Sequence, residues 1–557
     1  DDARGLRRPL VKAVHQERSY VIARGVDFEI VDLIAREPGA WPGLEIVENP
    51  GRAYPGSIDP RLLGMVRMAD AEAVADYVEA RQEYQELTRL LIRSPEQERR
   101  RQELKVQLWQ VLVRPNETRG RNGVEWALED QLRGKRGYIE VLLSGESAEG
   151  HEELEFAPPE NGFDARLSLD VALMQAAGAA IEAGYLDAAR RARPRGDLKH
   201  RGAVLDGLQR PRVGMALLDL RTGATPVLAS LPSFTVEEFR TEWAELSAAD
   251  NADRPLRHRA LGGGFTNYQT PYPGSTFKLV VAAEALATDP DWWTRELECQ
   301  NVWGPVNASR RMSCEGWHGK ISMQRAIEES CNVYFYKLGS LLGYEAIYRR
   351  ALQLGFGAPT GIELGQGGGP ERDPNENLEK GANSLRRPGE ARGSLDALHL
   401  AIGQANVVAS PLQMARLFGW VATGRLWTPR LVLEAGGVPT TPRWTNPDFP
   451  AAQRELLKRA LRGVVESPQG TAYDDLDGMQ LGDFRVAGKT GTAQVSSSDR
   501  GGSTLVHAWF VGYFPHDDPR YAVAVLCENA GLHGGEVATL VLHRFLSSEA
   551  AARLLEQ

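Results

Sequence analysis

Two predicted β-hairpins, widely separated in the sequence, constrain the fold more than any other feature. Residues 213–231 (VGMALLDLRTGATPVLASL) carry two apolar runs on either side of a turn that contains Gly223. Near the C-terminus, the runs HAWFVGYFP and YAVAVLCEN flank the segment HDDPR in the same way. Apolar runs rich in aromatic and β-branched residues around such turns are typical of paired strands. The second hairpin is apolar enough to lie at the centre of a sheet.

Helical patterns occupy much of the chain between the two hairpins. The order of strands, helices and strands predicts an α+β domain with an antiparallel sheet flanked by helices. Residues 164–187 add a short strand and an alanine-rich helix, so we place the start of this domain at residue 164 and its end at residue 557. Within it, residues 365–394 are rich in Gly, Pro and charge, which predicts a mobile loop.

The first 163 residues form a separate predicted domain, because a chain of 557 residues is too long for one hydrophobic core. Inside this domain, residues 68–113 predict two helices broken at Ser94-Pro95. The leucines that recur there at helical spacing are Leu87, Leu90, Leu91, Leu104 and Leu108. A charged helical hairpin with one buried stripe is the simpler interpretation, and an arm that docks a partner is the alternative.

Composition excludes several classes of protein. The net charge of −9 argues against a nucleic-acid-binding surface, which needs a basic face. No stretch of the sequence approaches the roughly 18 apolar residues of a membrane-spanning helix. Four cysteines are too few for a disulfide scaffold in a chain of this length. The sequence is therefore that of an ordinary globular protein.

Three short motifs point to serine-based acyl transfer. Ser275 and Lys278 form S-x-x-K at the start of an apolar run, and no other lysine of the chain has a serine three positions earlier. Ser330 and Asn332 form S-x-N, and Lys489 opens a later K-T-G motif in a strand-like setting. Each motif alone is weak evidence, but the three in this order are the signature of class A β-lactamases and penicillin-binding proteins.

The first two motifs contain the groups needed to activate a nucleophile. Ser275 at a helix start lies near unsatisfied N–H groups, and Lys278 lies one turn later on the same face. Burial lowers the pKa of a lysine, so Lys278 can become neutral and take the serine proton. Ser330 can relay a proton, and Asn332 can hold an amide of the substrate.

The third motif contains groups that bind the substrate. Lys489 and Thr490 offer a charge and a hydroxyl to a substrate carboxylate, and Gly491 lets the strand backbone approach the substrate closely. The backbone N–H groups of Ser275 and Thr492 are candidates for an oxyanion hole. We therefore predict Ser275, Lys278, Ser330, Asn332 and Lys489 as catalytic residues, and Thr490, Gly491 and Thr492 as substrate-binding residues.

Longer segments resemble class B penicillin-binding proteins, and the elongation type more than the division type. These segments are GRAYPG (51–56), NGVEWALEDQLRGKRG (122–137), LGFGAPTGIELG (354–365), AIGQANVVASPLQMARLFGWVA (401–422) and HAWFVGYFP (507–515). The resemblance implies an N-terminal pedestal and a transpeptidase domain. It implies a D,D-transpeptidase that cross-links peptidoglycan stem peptides ending in D-Ala-D-Ala, needs no cofactor for catalysis and is inhibited by β-lactams.

The same resemblance implies location and partners. Family members are anchored in the cytoplasmic membrane with the catalytic domain outside it, and they work with a polytopic peptidoglycan glycosyltransferase and with shape proteins such as MreC. The family's membrane helix is missing here, and the sequence starts at Asp1. We therefore expect a trimmed chain, with a divergent N-terminus as the alternative.

Three cysteines and a histidine lie between the first two motifs. Cys299, Cys314, His318 and Cys331 are spaced C-x14-C-x3-H-x12-C, a ligand set that suits tetrahedral zinc. Because Cys331 lies between Ser330 and Asn332, such a metal would support the S-x-N motif from behind. A Cys299–Cys314 disulfide and simple buried thiols are the alternatives.

Other functions remain open at this point. A D,D-carboxypeptidase or β-lactamase uses the same motifs with water as acceptor, although the E-x-x-L-N motif of class A β-lactamases is absent from the sequence. A non-catalytic scaffold is a third hypothesis, and nucleotide binding is a fourth, because AGKT (487–490) resembles the end of a P-loop. Against the P-loop, Asp483 stands where a glycine is required.

Four residues close to the motifs are given structural roles. We expect Glu284 and Glu328 to be solvated, because glutamates on helices usually are. Trp509 is predicted to line the core or the cleft wall, and His507 is predicted to be structural.

Overall fold

The computed structural model describes residues 58–556 with gaps, and before residue 58 it describes only Ile30 and Ile34. The gaps are 70, 72–73, 116, 121, 144–150, 196–200, 249, 252, 265–270, 305–311, 365–382, 391–394, 474–480 and 495–505. Most of the predicted mobile loop (365–394) and the motif at 51–56 therefore lie outside the described residues. The chain divides into two compact units, Asp1–Tyr54 and Pro55–Gln557, and all contacts below belong to the second.

Residues 58–163 form short helices and two-stranded sheets. The helices are α1 (Pro60–Leu63), α2 (Ala75–Arg89), α3 (Pro95–Val106), α4 (Gly123–Ala127) and α5 (Glu129–Leu132). The strands are β1 (Val66–Met68), β2 (Thr118–Gly120), β3 (Tyr138–Leu143) and β4 (His151–Ala157). Strand β1 pairs antiparallel with β2, and β3 pairs antiparallel with β4.

Helices α2 and α3 form the predicted helical hairpin. Ser94 begins α3 with a capping box, in which its hydroxyl accepts from the Gln97 N–H and the Gln97 side chain accepts from the Ser94 N–H. The buried stripe contains Leu104 and Leu108, as the helical spacing predicts. The same spacing predicts that Leu90 and Leu91 belong to it, but both are exposed. Because α2 ends at Arg89, Leu90 and Leu91 leave the helix and are exposed at the tip of the hairpin.

The rest of the chain forms a larger α+β region. Its helices are α6 (Val171–Ala192), α7 (Arg201–Gly207), α8 (Val236–Thr241), α9 (Trp243–Leu246), α10 (Lys278–Thr288), α11 (Met323–Glu328), α12 (Asn332–Leu342), α13 (Tyr344–Gln353), α14 (Asp396–Ala401), α15 (Pro411–Thr423), α16 (Ala451–Glu466), α17 (Ala538–Leu546) and α18 (Glu549–Glu556). Among the described residues, no helix combines the length and the apolar character needed to cross a lipid bilayer.

The strands of this region build one large sheet and several small ones. They are β5 (Ala165–Leu167), β6 (Val213–Asp219), β7 (Val227–Leu231), β8 (Arg257–His258), β9 (Gly263–Gly264), β10 (Leu297–Cys299), β11 (Val302–Trp303), β12 (Met312–Ser313), β13 (Gly319–Ile321), β14 (Leu426–Thr428), β15 (Val432–Ala435), β16 (Val438–Pro439), β17 (Arg443–Thr445), β18 (Ala487–Ala493), β19 (His507–Phe514) and β20 (Tyr521–Cys527). Strand β10 pairs with β13, and β11 pairs with β12.

The large sheet joins the two predicted hairpins. Its strand order is β18-β19-β20-β6-β7, and all neighbouring strands are antiparallel. Strands β19 and β20 are buried along their whole length, as expected for central strands, and β18 forms one edge. Helix α15 packs against β6, β19 and β20, and the long helix α6 packs against α17. The predicted antiparallel sheet with flanking helices is confirmed.

A buried arginine joins residues 58–64 to the large sheet. Arg61 is fully buried beside Asp59, and its guanidinium donates to the carbonyl oxygens of Ser230 (2.8 Å), Pro255 (2.6 Å) and Arg257 (2.7 Å). A buried arginine is costly unless each of its donors finds an acceptor. The surrounding carbonyl groups meet this requirement, so α1 is held tightly against β7 and the segment that precedes β8.

Candidate active site

Ser275 lies in a 3-10 turn, Gly274–Phe277, that leads directly into α10. The turn is held on two sides by close backbone contacts. Gly274 has φ +56°, its N–H donates to the Gly403 carbonyl (2.9 Å), and an added Cβ would lie 2.8 Å from the Thr492 carbonyl oxygen. The turn and the end of β18 therefore lie next to each other, and no side chain fits at Gly274 without a shift.

Lys278 is the first residue of α10 and is fully buried. Its Nζ donates to the Ser330 carbonyl oxygen (2.8 Å) and to Asn332 Oδ1 (2.7 Å), and it lies 3.3 Å from Ser330 Oγ. It also lies 5.4 Å from the centre of the Phe335 ring. The structure therefore connects the S-x-x-K lysine directly to both polar residues of the S-x-N motif, which are 52 and 54 positions away.

The S-x-N motif forms a strained turn before α12. Ser330 has φ +56°, a left-handed conformation that is rare for residues other than glycine. Cys331 then caps α12, because its Sγ accepts from the Tyr334 N–H (3.4 Å). The turn brings Ser330 and Asn332 to Lys278, and the Cys331 side chain is fully buried. Strain of this kind is characteristic of functional sites.

The K-T-G motif lies within the edge strand β18, as predicted. Lys489 is fully buried, and the Thr490 hydroxyl shares a hydrogen bond with the Thr471 hydroxyl (2.6 Å). A Cβ added to Gly491 would lie 3.1 Å from the Pro273 carbonyl oxygen and 3.0 Å from Thr276 Cγ2. Gly491 therefore allows close approach between β18 and the nucleophile turn.

The two buried lysines titrate below their usual range. Burial lowers the pKa of Lys278 to about 8. Burial, and then repulsion from the Lys278 charge, hold the pKa of Lys489 well below its usual value. Because removing a charged ammonium from water is costly, the neutral amine becomes accessible near physiological pH. Lys278 can thus serve as a proton acceptor, which is the role predicted for it.

The cysteines and the histidine between the motifs form one compact cluster. The ligand atoms of Cys299, Cys314, His318 and Cys331 all lie within 4.8 Å of one another. All three cysteines are free thiols, so the alternative of a Cys299–Cys314 disulfide does not agree with this structure. The Cys314 sulfur accepts from the Asn332 N–H (3.2 Å) and lies 3.9 Å from the Cys331 sulfur. The hydrogen bond between these two sulfurs is the main cause that lowers the pKa of Cys314 to about 4. Four soft donors in this arrangement could hold a metal ion.

Sequence analysis missed residues that lie beside the K-T-G strand. His533 Nδ1 is 3.2 Å from Thr492 Oγ1, and Glu315 Oε1 is 3.8 Å from the same nitrogen. Thr471, which bonds Thr490, was also missed. None of the three belongs to a motif, and each lies far in sequence from Thr490 and Thr492. The two glycines after His533 were a signal in the sequence that the backbone there lies close to another segment. An added Cβ at Gly534 would lie 2.2 Å from the Trp509 carbonyl oxygen.

The single-residue predictions near the motifs had mixed outcomes. Trp509 is fully buried, and its Nε1 donates to the Tyr272 carbonyl (3.0 Å). His507 Nδ1 accepts from a backbone N–H, in keeping with a structural role. The expectation for Glu328 is wrong: its side chain is buried against Gly463, where there is no Cβ to exclude it, and burial raises its pKa. The expectation for Glu284 is wrong as well, because its side chain is only 12% exposed and is paired with Arg350 (2.9 Å).

The nucleotide-binding hypothesis does not fit the observed backbone. A P-loop needs a loop that leads into a helix N-terminus. Residues 487–490 instead lie inside strand β18, paired in register with β19. The amide groups of this segment are therefore not arranged as a phosphate cradle.

Comparison with known proteins identifies the family. The profile described as "Penicillin binding protein transpeptidase domain" matches residues 213–547, and that described as "Penicillin-binding Protein dimerisation domain" matches residues 2–167. Peptidoglycan D,D-transpeptidase MrdA of Acinetobacter baumannii is 30% identical over 451 residues, or 76% of this chain. The chain spans 59% of that relative's length.

Solved structures agree with this assignment. A peptidoglycan synthase complex, described as coordinating polymerization and crosslinking, contains a chain with a TM-score of 0.65 and 26% identity, covering 97% of this chain and 84% of that one. Penicillin-binding protein 2 in complex with MreC from Helicobacter pylori has a TM-score of 0.65 and 22% identity, covering 95% of this chain and 84% of that one; at this identity the likeness concerns the fold alone. The chain therefore belongs to the penicillin-binding protein family, with a dimerisation (pedestal) domain followed by a transpeptidase domain.

Proposed function

We propose that the protein is a peptidoglycan D,D-transpeptidase of the elongation type and that it works through an acyl-enzyme on Ser275. The observation that carries this proposal is the convergence of the three motifs at one buried site. Lys278 bonds Ser330 and Asn332, and the charge of Lys278 acts on Lys489. The names of the relatives support the same activity.

In the proposed reaction, Lys278 in its neutral form accepts the Ser275 proton. The Ser275 oxygen attacks the carbonyl carbon between the two terminal D-Ala residues, and the backbone N–H groups of Ser275 and Thr492 stabilise the developing oxyanion. The C–N bond then breaks, and Ser330 passes the proton from Lys278 to the leaving amine. The amine of a second stem peptide attacks the ester, so the C–Oγ bond breaks and a new amide bond forms.

The K-T-G strand is proposed to bind the donor peptide. The terminal carboxylate favours the protonated form of Lys489 when it binds, so Lys489 then places a positive charge beside it. The hydroxyl groups of Thr490 and Thr492 donate to the same carboxylate. Thr471 supports this role when its hydroxyl donates to Thr490 at 2.6 Å, because the Thr490 proton is then available to the carboxylate. Gly491 keeps β18 close to the nucleophile turn.

Product analysis tests this proposal against hydrolysis. The purified protein is incubated with a stem peptide ending in D-Ala-D-Ala and with a second peptide that offers a primary amine. We expect a cross-linked dimer together with free D-Ala. A trimmed stem peptide without dimer would instead favour a D,D-carboxypeptidase. A protein that becomes acylated but releases neither dimer nor trimmed peptide would favour a scaffold.

Two serine variants make the test specific. Ser275→Ala should abolish the dimer and the release of D-Ala. Ser322→Ala is a matched control, because Ser322 also begins a helix and its side chain makes no capping hydrogen bond. Product formation that persists in Ser275→Ala would contradict the proposed nucleophile.

We further propose that Cys299, Cys314, His318 and Cys331 bind a structural zinc ion. With Zn–S bonds of about 2.3 Å, tetrahedral geometry places ligand atoms roughly 3.8 Å apart. The corresponding separations here are 3.9 Å for Cys314–Cys331, 3.6 Å for Cys314–His318 and 3.4 Å for Cys299–His318. His318 Nε2 lies 3.9 Å from Glu329, as in the carboxylate–histidine–metal arrangements of other proteins.

Elemental analysis of the purified protein tests the zinc proposal. We expect about one zinc per chain, lost in Cys314→Ser together with a lower melting temperature. Cys527→Ala is the matched control, because Cys527 is also buried but lies on β20 outside the cluster. Zinc that is absent from the native protein, or retained in Cys314→Ser, would refute the site.

The domain boundary, the membrane anchor and the partners are also proposals. We propose a pedestal over residues 1–163 with a helical insert at 68–113, and a transpeptidase domain over 164–557, anchored on the outer side of the cytoplasmic membrane. Partners would be a polytopic glycosyltransferase and an MreC-like protein. One structural neighbour was solved in complex with MreC and the other within a peptidoglycan synthase complex, which supports this choice.

Cell fractionation and co-purification test these points. The native protein, expressed at its natural level, should sediment with cytoplasmic membranes and be accessible to a protease added from outside. It should co-purify with both partners. Recovery in the cytosol, or binding to neither partner, would contradict the proposal.

A further inference from the structure

Glu315 lies at the mouth of the cleft on the wall that carries the S-x-N motif. It directly follows Cys314, whose sulfur accepts from the Asn332 N–H (3.2 Å). The preceding residue, Ser313, accepts from the Asn332 side-chain amide through its carbonyl (3.5 Å). Glu315 is thus held on a short segment tied to Asn332, while its own side chain is 71% exposed.

The carboxylate of Glu315 reaches across to the opposite wall. His533 lies after β20, on the side of the K-T-G strand, and its Nδ1 is 3.2 Å from Thr492 Oγ1. Glu315 Oε1 is 3.8 Å from the same nitrogen. Since Ser275 lies next to Thr492, as the Gly274 contact requires, a group bound to Glu315 would be close to the acyl ester.

The charge of Glu315 also acts on the interior of the site. It raises the pKa of both Lys278 and Lys489, opposing the effect of burial on each. An exposed carboxylate at the entrance attracts an approaching ammonium group. The acceptor of a transpeptidation is an amine that is protonated in water. An anionic contact near the ester would hold this protonated amine beside its target before it reacts.

We propose that Glu315 is a specificity-determining residue that binds the ammonium group of the acceptor peptide at the mouth of the cleft. This inference rests on the proposed transpeptidase function. The acceptor replaces His533 as the partner of the carboxylate and is delivered close to the acylated Ser275. The ammonium first loses one proton to water. The neutral amine then attacks the ester carbon, the C–N bond forms as the C–Oγ bond breaks, and the second proton passes to Ser275 Oγ.

The donor peptide is a less suitable ligand for the same residue. Its terminal carboxylate carries the same sign of charge as Glu315, so the two would repel each other. A latch that closes the resting cleft through the Glu315–His533 contact is the other alternative. In that case removal of the Glu315 charge would speed acylation of Ser275 by the donor. If Glu315 binds the acceptor, removal of its charge instead slows transfer of the acyl group to the acceptor amine.

Acceptors of different charge separate these alternatives. The full chain is acylated by an N-acyl-D-alanyl thioester, and transfer to a stem peptide with a primary amine is compared with transfer to hydroxylamine, which is largely uncharged at neutral pH. In Glu315→Gln, we expect kcat/KM for the primary amine to fall about fivefold, with an increase in hydrolysis. Transfer to hydroxylamine should fall much less, and Glu315→Asp should restore part of the loss.

Controls distinguish failure of this inference from failure of the proposed function. Glu298 is a carboxylate that accepts from the Gln300 side chain. Glu298→Gln should not alter the ratio of transfer to the primary amine and transfer to hydroxylamine. An equal loss for both acceptors, no change, or faster acylation in Glu315→Gln would overturn the inference while wild-type transfer persists. Absence of any acyl transfer by the wild type would instead overturn the proposed function.

Discussion

Charged residues are used in opposite ways in the active site and in the helical hairpin α2–α3. Lys278 and Lys489 are fully buried. Lys278 on α10 is held by hydrogen bonds to the Ser330 carbonyl and to Asn332 Oδ1 of the S-x-N motif. In the hairpin, the Glu83–Arg100 pair joins α2 to α3 at 2.8 Å, but both side chains remain about two-fifths exposed. The two regions make similar polar contacts in different surroundings.

The difference shows that surroundings decide what a charge contributes. A buried charge cannot be removed without leaving its partners unpaired or changing the protonation of its neighbours. An exposed pair exchanges its contacts for water at little cost. We therefore expect large effects from changes at buried charges and small effects in the hairpin, in the following order.

The largest effect is expected from Lys278→Met. Loss of the proton acceptor should slow acylation of Ser275 by penicillin about a thousandfold, while methionine occupies the apolar volume of the lysine stem. Stopped-flow labelling measures the rate, and circular dichroism checks the fold. Lys337→Met is the control, because Lys337 donates to the Glu298 carbonyl at the surface, outside the three motifs. A rate within tenfold of wild type in Lys278→Met would remove the proton-acceptor role.

The next effect concerns the arginine that joins α1 to the sheet. Arg61→Ala leaves Asp59 buried without its arginine partner and removes the guanidinium donors to the carbonyl groups of Pro255 and Arg257. The free energy of unfolding should fall by about 3–5 kcal/mol, as measured by urea denaturation. The double variant Asp59→Asn/Arg61→Ala should recover part of this loss. A change below 1 kcal/mol in the single variant would show that the network is not structural.

Acid should destabilise the sheet region through Glu528. Burial opposes its ionisation, but the charges of Arg257 and Arg259, at 2.8 Å and 2.9 Å, outweigh burial and lower the pKa of Glu528 from 4.5 to about 2. The carboxylate therefore stabilises the fold above the unfolded pKa, and this contribution is lost as the pH falls toward the folded value. It amounts to about 3 kcal/mol. Denaturation between about pH 6 and pH 2 measures it, and Glu528→Gln should flatten the curve.

The smallest effect is expected in the hairpin. Arg100→Ala removes an exposed pair, so the free energy of unfolding should change by less than about 1 kcal/mol and the effect should shrink further in high salt. Penicillin labelling should equal that of the wild type. A loss comparable to that of Arg61→Ala would break the contrast between the two regions.

Local sequence patterns predicted most of the fold and the three motifs that the structure brings together. The two hairpins, the K-T-G strand and the break at Ser94-Pro95 each depend on residues close together in sequence, where strand alternation, turn residues and capping are visible. The S-x-x-K, S-x-N and K-T-G motifs lie far apart, but their chemistry is specific enough to group them. The cluster of cysteines and His318 was found because its ligand types are uncommon.

Contacts without a local pattern could not be predicted. Arg61 is buried because carbonyl groups from β7 and the segment before β8 surround it, and those residues are about 170 or more positions away. Glu328 is buried because a glycine of α16 leaves space for it. Leu90 and Leu91 fit the helical spacing but lie beyond the end of α2. In each case the outcome depends on a neighbour that the sequence does not identify.

Mapping a penicillin adduct tests the central claim most directly. The wild type, Ser275→Ala and Ser322→Ala are labelled with a fluorescent penicillin, digested and analysed by mass spectrometry. The acyl-enzyme account predicts an adduct on Ser275 in the wild type and in Ser322→Ala, and none in Ser275→Ala. An adduct that persists in Ser275→Ala, or its absence from the wild type even with the glycosyltransferase partner present, would contradict that account.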